Sequence, residues 1–143
     1  MTAIDNKNAA MLEYLRQYPD LQSILYFNSM VDQIGNEALQ TVYGETWEKK
    51  YVHGHGIKQW DFAVVKIAKA STGTNNINVN ETQAVQDFMD WIDAQNAAGN
   101  FPDFSPAKVL SIQNLQNMPN FAGIDNNEGA AKYMFQCRVR YYE

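Results

Sequence analysis

Apolar and polar residues recur along this chain with two different periods, and the period assigns each segment to a helix or a strand. Near the N-terminus, apolar residues at helical spacing predict a helix from about Ala3 to Gln17, which Pro19 ends. Thr2 and Asp5 have the spacing of a capping box at its start. The apolar stripe of this helix consists of Met11, Tyr14, Leu15 and Tyr18.

A second helical pattern lies in the middle of the chain, from about Glu81 to Ala98. Asn80 is expected to cap its first turn, and Gly99 is expected to end it. The segment Ser71–Asn80 before it is polar and poor in core residues, which predicts a loop. The apolar stripe of the second helix consists of Val85, Phe88, Met89 and Ile92, widened by Ala84 and Trp91.

The other patterned segments have the two-residue period or the compact apolar runs of strands. Two of them, Trp47–His53 and Ile57–Lys69, are predicted to form a hairpin around the glycines of the sequence HGHG. In the second arm, the apolar residues alternate up to Val64 and then move to the other set of alternate positions. This change indicates either a bulge or a central strand covered on both faces. The remaining predicted strands are Ser23–Asn28, Glu37–Tyr43, Lys108–Leu115 and Ala131–Tyr142.

This order of elements predicts one α+β domain over residues 1–143, with two main helices packed on a mostly antiparallel sheet. A chain of this length can bury a core without disulfides or metals. It has a single cysteine, so no disulfide can form within the chain. No apolar run is long enough for a membrane span, and the N-terminal residues lack the pattern of a signal peptide, so we expect neither a membrane partner nor export.

Charge is distributed unevenly along the chain, whose formal net charge is −5. The total argues against a nucleic-acid partner, which would favour a basic face. Between Ala70 and Ala107 there is no lysine or arginine, whereas basic residues lie on both flanks of that stretch. Such segregation either steers one copy of a protein onto another or reflects an ordinary solvated helix face beside a basic strand.

Few residues are candidates for catalysis or metal binding. His53 and His55 lie two apart, so on a strand they could share a metal with Asp61 or Glu48, but polar turn residues are the commoner reason for such a pattern. Cys137 lies on the apolar side of the last strand, where a thiol stays protonated and inert.

Three carboxylates, Asp87, Asp90 and Asp93, recur every three residues on the second helix, opposite its apolar stripe. In water they would lack the environment that tunes a carboxylate for acid–base work. The sequence also contains no P-loop, no dinucleotide-binding glycine pattern, no HExxH and no GxSxG. Binding and assembly are therefore favoured over enzymatic activity.

From the third strand onward, the chain resembles the phage minor capsid protein family whose members are regarded as tail terminators. The resemblance rests on the order and spacing of several fragments and covers roughly residues 47 to 143. These fragments are WDFAV at 60–64, FMDWIDAQN at 88–96, NFPDF at 100–104, VLSIQNL at 109–115, AKY at 131–133 and RY at 140–141.

The resemblance implies a small α+β structural protein that closes into a ring, commonly a hexamer. Such a ring caps the tail tube, so the implied partners are further copies of the chain, the tail-tube protein and the head-completion or connector protein. The implied location is the neck of the virion, after synthesis in the cytoplasm of a bacterial host. No cofactor, no metal and no catalytic residue is implied. The alternatives are another neck or connector component, or a small metal- or ligand-binding domain or hydrolase around His53 and His55.

A ring with head-to-tail contacts needs two different faces that fit each other. The charge segregation suggests the acidic helix face for one and the basic last strand for the other. The loop before the second helix is a candidate for contacting the tube. The candidate interface residues are Asp87, Asp90, Asp93, Arg138 and Arg140, and the candidate loop residues are Thr74, Asn75 and Asn76.

Overall fold

In a computed structural model, the residues described are 6–21, 25–28, 37–42, 44–69, 77–125 and 130–143. Within these ranges the chain forms two helices and a seven-stranded sheet, and the predicted α+β class is confirmed. The elements are α1 (Lys7–Leu15), β1 (Leu25–Phe27), β2 (Glu37–Thr41), β3 (Trp47–Lys50), β4 (Gly56–Lys69), α2 (Ile77–Ala98), β5 (Lys108–Asn114), β6 (Asn120–Asp125) and β7 (Ala130–Tyr142).

The sheet is built around the long antiparallel pair of β4 and β7. Its main path runs β1-β2-β4-β7-β5, while β3 pairs with β4 and β6 pairs with β7. All the pairings are antiparallel except that of β1 with β2, which is parallel. The predicted hairpin is present, since β3 folds back on β4.

The parity change in β4 reflects a central strand covered on both faces. Its pairing with β7 runs without a register shift from Ile57 to Lys69, so no bulge interrupts it there. Every residue from Phe62 to Ala68 is buried, on both sides of the strand. A strand buried on both faces loses the apolar–polar alternation, which explains the change of pattern in the sequence.

Both helices pack on the same face of the sheet and form the core with it. Met11 and Leu15 of α1 join Phe88 and Ile92 of α2 in one buried cluster with the inward side chains of the sheet. The inward side chains of β7 are those that the sequence predicted: Tyr133, Phe135, Cys137, Val139 and Tyr141.

The helix boundaries differ from the predicted ones. Helix α1 begins at Lys7 with Asn6 as its N-cap, whose side chain accepts a hydrogen bond from the Asn8 N–H at 2.9 Å. The prediction of a start near Ala3 is therefore wrong, and the capping-box residues 2 and 5 lie outside the described residues.

Helix α2 begins at Ile77, so the predicted start at Glu81 is wrong and Asn80 lies inside the helix rather than at its cap. Residues 77–80, which the sequence assigned to a loop, form the first turn of the helix, and residues 71–76 of that predicted loop lie outside the described residues. Gly99 follows the helix with a positive φ of 73°, as expected of a residue that ends it. The loop candidates Thr74, Asn75 and Asn76 lie outside the described residues.

Strand β6 is absent from the strands that the sequence predicted. Its sequence, NFAGID, shows little alternation, and its pairing with β7 has a register shift between Phe121 and Gly123. Such a strand is specified by its long neighbour rather than by its own pattern.

Among the described residues, neither helix combines the length and apolar character that crossing a bilayer requires.

Candidate functional site

Arg138 lies on the sheet face that points away from the helices, and it is already paired within its own chain. Its Nε and Nη2 donate to Oδ1 and Oδ2 of Asp61 at 2.8 and 3.1 Å, across the β4–β7 register. The pKa of the Arg138 guanidinium is raised, mainly by this hydrogen bond. Fork-to-fork geometry of this kind is the strongest form of an arginine–carboxylate contact.

Arg140 repeats this arrangement two residues further along β7. Its Nε and Nη2 donate to Glu48 of β3 at 2.6 and 2.8 Å. The hydrogen bond from Arg140 is the main reason that the pKa of Glu48 lies below its usual value. Arg138 and Arg140, the two basic residues predicted to lie in an interface, are therefore both paired with carboxylates on other strands of the same sheet. Reversing either charge would first break that ion pair.

The three aspartates of α2 are exposed, as the sequence predicted. Asp87 and Asp90 accept hydrogen bonds from Gln83 and Gln86 one turn earlier, at 2.9 and 3.1 Å. Asp93 instead accepts from Nδ2 of Asn114 in β5 at 2.8 Å, and so ties the helix to the sheet.

The acidic helix face and the two arginines lie on opposite sides of the domain. The alternation of β7 directs Cys137 and Val139 into the core beneath α2 and directs Arg138 and Arg140 to the other face. A contact between these two surfaces would stack copies along the normal to the sheet. This interface stays a prediction.

The two histidines lie in the turn between β3 and β4. Their ring centroids are 5.2 Å apart, and the His55 N–H donates to Nδ1 of His53 at 3.3 Å. The carboxylates suggested as further metal ligands, Asp61 and Glu48, are held by arginines. In the part of the chain that is described, no group of three or more His, Cys, Asp or Glu residues could hold a metal ion.

The glycines of the HGHG sequence are explained by the backbone of this turn. Gly54 has a φ of +91°, which side chains with a Cβ rarely adopt. A Cβ on Gly56 would lie 2.1 Å from the carbonyl oxygen of Lys49, because the two strands approach closely there. The motif is therefore accounted for by turn geometry.

The Cys137 thiol is buried in the core, as predicted. Burial raises its pKa well above the usual value, and the negative charge of Asp93 raises it further. The thiol donates to Oδ1 of Asn114 at 3.2 Å. A protonated, enclosed thiol is a poor nucleophile.

A surface cleft of about 210 Å³ lies between α1 and the connection that leads from α2 to β5. We call the seven residues that line it the cleft: Ala10, Glu13, Tyr14, Gln17, Phe101, Pro102 and Asp103. The Tyr14 hydroxyl donates to the Asn100 carbonyl oxygen at 2.8 Å and so joins its two walls. Sequence reasoning missed this cleft, because its walls are about ninety residues apart in the chain and no single motif spans them.

The turn between β3 and β4 forms a protruding tip, which we define as residues 49–55. Every residue of the tip is exposed, and Val52 is fully exposed. The Tyr51 N–H donates to the His55 carbonyl at 2.8 Å, and the Gly54 N–H donates to the Tyr51 carbonyl at 3.1 Å. The tip is therefore a hydrogen-bonded turn that presents apolar side chains to solvent.

No model of a known protein family matches this chain, and no curated protein matches it.

Proposed function

We propose that this protein is a phage tail terminator, a structural protein that closes into a ring, caps the tail tube and joins it to the head-side connector. The main observation in support is that separate sequence fragments of the family resemblance meet in one aromatic cluster. Trp60 of WDFAV lies 6.1 Å from Phe104 of NFPDF, and Phe104 lies 5.4 Å from Tyr141, as measured between ring centroids. Fragments that are scattered in sequence but packed together in space support a shared fold, because their spacing then reflects one core.

The α2 fragment of the resemblance contributes to the same core. Ile92 is fully buried, and Trp91 packs edge-on against Phe88 with centroids 6.0 Å apart. Asn96 then accepts a hydrogen bond from the Ile112 N–H at 3.0 Å, which fixes the helix end to β5. The resemblance therefore involves the residues that position α2 on the sheet, and it supports the function through the fold.

The placement of the candidate chemical groups supports assembly over catalysis. The thiol of Cys137 is enclosed in the core, and the aspartates of α2 are exposed to solvent. Asp61 and Glu48 each hold an arginine in a two-point contact. These arrangements hold the fold together or face water, which suits a protein whose work is done by its surfaces.

The proposed partners are further copies of the chain in a ring, which we expect to be a hexamer, together with the tail-tube protein and the head-completion or connector protein. The proposed location is the neck of the virion. No cofactor, membrane or specific nucleic acid is part of the proposal. The proposed tube contact through residues 74–76 falls outside the described residues.

Electron microscopy of the purified protein mixed with assembled tail tubes tests this function. We expect extra density at one end of each tube and no further growth when tube subunits are added. Tubes mixed with an unrelated protein of similar mass provide the control. Bare ends and continued growth would refute the proposal, and binding to connector rings instead would favour the alternative of another neck component.

A further inference from the structure

We propose that the tip of one copy of this chain inserts into the cleft of the next copy, and that this contact propagates around the ring. The inference rests on the proposed ring-forming function and names the surfaces that would build the ring. Two observations support the inference: an exposed apolar turn, and an open cleft on a different part of the same molecule.

The tip has the features expected of a segment that inserts into a partner molecule. Tyr51 is 36% exposed and Val52 is fully exposed, and the two residues are adjacent in sequence. The hydrogen bonds of the turn hold them in place before any partner binds. A preorganised apolar protrusion loses little conformational entropy when it docks.

The cleft has the character of a receptor for one or two side chains. Ala10, Tyr14, Phe101 and Pro102 supply apolar surface, and Glu13 and Asp103 supply carboxylates. Its volume of about 210 Å³ is smaller than the range of roughly 300–1,000 Å³ that is typical of small-molecule sites. The space therefore suits one or two side chains at the end of an inserted turn.

The charges of the two surfaces are opposite. Lys49 and Lys50 are exposed at the base of the tip, and the Lys49 ammonium lies over the Tyr51 ring at 5.3 Å. Across the contact, Glu13 and Asp103 are exposed carboxylates, and hydrogen bonds from Ser105 lower the pKa of Asp103. In a chain with a net charge of −5, which repels its own copies overall, a local basic segment facing carboxylates would set the orientation of docking.

The two surfaces belong to different parts of the fold. The tip lies at the end of the β3–β4 hairpin, whereas the cleft lies between α1 and the segment before β5. A contact between unlike surfaces is heterologous, so an open chain of copies has a free tip at one end and a free cleft at the other until the ring closes. This arrangement requires neither Arg138 nor Arg140 to leave its carboxylate.

Disulfide trapping tests the contact. Two variants are prepared separately. Val52→Cys places a thiol on the tip, and Gln17→Cys places a thiol on the cleft wall. Both positions are exposed. The native thiol of Cys137 is buried and does not compete. Mixing the two variants under mild oxidation should yield a cross-linked dimer, whereas Val52→Cys mixed with Gln113→Cys, an exposed position on β5, should not. Absence of the specific cross-link would overturn the inference.

A charge exchange tests the head-to-tail direction. Lys49→Glu and Glu13→Lys should each weaken self-association by about tenfold or more, because each places like charges across the contact. Mixing these two variants should restore association, since every contact between unlike copies then joins a lysine to a glutamate. Sedimentation of each variant and of the mixture measures this, and a mixture no stronger than its components would refute the contact.

The two proposals can fail separately. Tubes capped by rings without the tip-to-cleft cross-link would refute the contact and leave the proposed function standing. Specific cross-linking with bare tube ends would refute the proposed function and leave the contact standing. A chain carrying both Val52→Cys and Gln17→Cys should cross-link beyond the dimer, and products that stop at the dimer would refute a ring built in this way.

Discussion

Arg138 and Asp61 occupy opposite positions in the register of β7 and β4 and join through two hydrogen bonds of 2.8 and 3.1 Å. The side chain of Asp61 is 10% exposed and that of Arg138 is 32% exposed, so the pair is partly shielded from water. The pair links the two central strands on the face away from the helices. Its first role is therefore to stabilise the sheet.

Asp61→Asn should lower the free energy of unfolding by about 1–3 kcal/mol, because the shielded guanidinium loses a charged acceptor. The matched control is Glu48→Gln, which breaks the neighbouring two-point contact with Arg140 where the Glu48 side chain is 37% exposed. Urea unfolding of both variants measures the difference. Equal losses would contradict the role assigned to shielding, since an exposed pair contributes less.

Glu143 should make stability depend on pH in the acid range. Its carboxylate accepts from Lys58 at 2.8 Å and from Lys7 at 3.2 Å, and these contacts lower its pKa below the ordinary 4.5, with the Lys58 hydrogen bond contributing most. A lowered pKa in the folded state stabilises the protein above the ordinary pKa, and this contribution disappears as pH falls through the folded value.

Glu143→Gln should therefore cost less than about 1 kcal/mol at neutral pH, as expected of a partly exposed pair. The difference from the native protein should shrink below pH 4.5 and vanish in stronger acid. Thermal unfolding of both proteins across this range tests the expectation. A difference that grows towards acid pH would contradict the assignment.

Phe88 should be among the most costly core residues to truncate. Its ring stacks on Tyr18 with centroids 4.2 Å apart and meets Phe135 edge-on at 5.5 Å, so it joins the segment after α1 to β7. Phe88→Ala should lower the free energy of unfolding by about 3–5 kcal/mol. Asp90→Ala, on the exposed side of the same helix, should change it by less than about 0.5 kcal/mol. Similar effects of the two changes would contradict the packing described.

Cys137 should not react with thiol reagents while the protein is folded. The thiol is fully buried and its pKa is raised, so both access and thiolate formation are suppressed. Labelling in native buffer and in concentrated guanidinium, followed by mass spectrometry, should give one adduct only in denaturant. Cys137→Ala should give none in either condition, and rapid labelling of the native protein would show that the strand face opens.

Strand β7 was predictable from its alternation, whereas β6 was not predicted. The alternation of β7 identifies its core face correctly from Tyr133 to Tyr141, because one face packs under helices and the other bears polar residues. Strand β6 has no such alternation and depends on pairing with β7. Helix starts were also misplaced, because polar residues suit a first helical turn as well as they suit a loop.

Some features of the candidate site were likewise predictable from the sequence, and others were not. Exposure of the aspartates of α2 and burial of Cys137 follow from their positions on periodic elements, and both were predicted correctly. The engagement of Arg138 and Arg140 could not be predicted, because it depends on the register of β7 with β4 and of β4 with β3. The cleft depends on a contact between α1 and a distant connection.

The sequence by itself determined that this chain forms two main helices packed on a mostly antiparallel sheet, because helical and strand periods are local properties of neighbouring residues. It also determined the apolar stripe of α2 and the core face of β7. Tertiary structure alone decided which charges neutralise each other and where a protrusion and a cleft appear. Those features join residues far apart in the chain, so they exist only once strand register and helix packing bring the residues together.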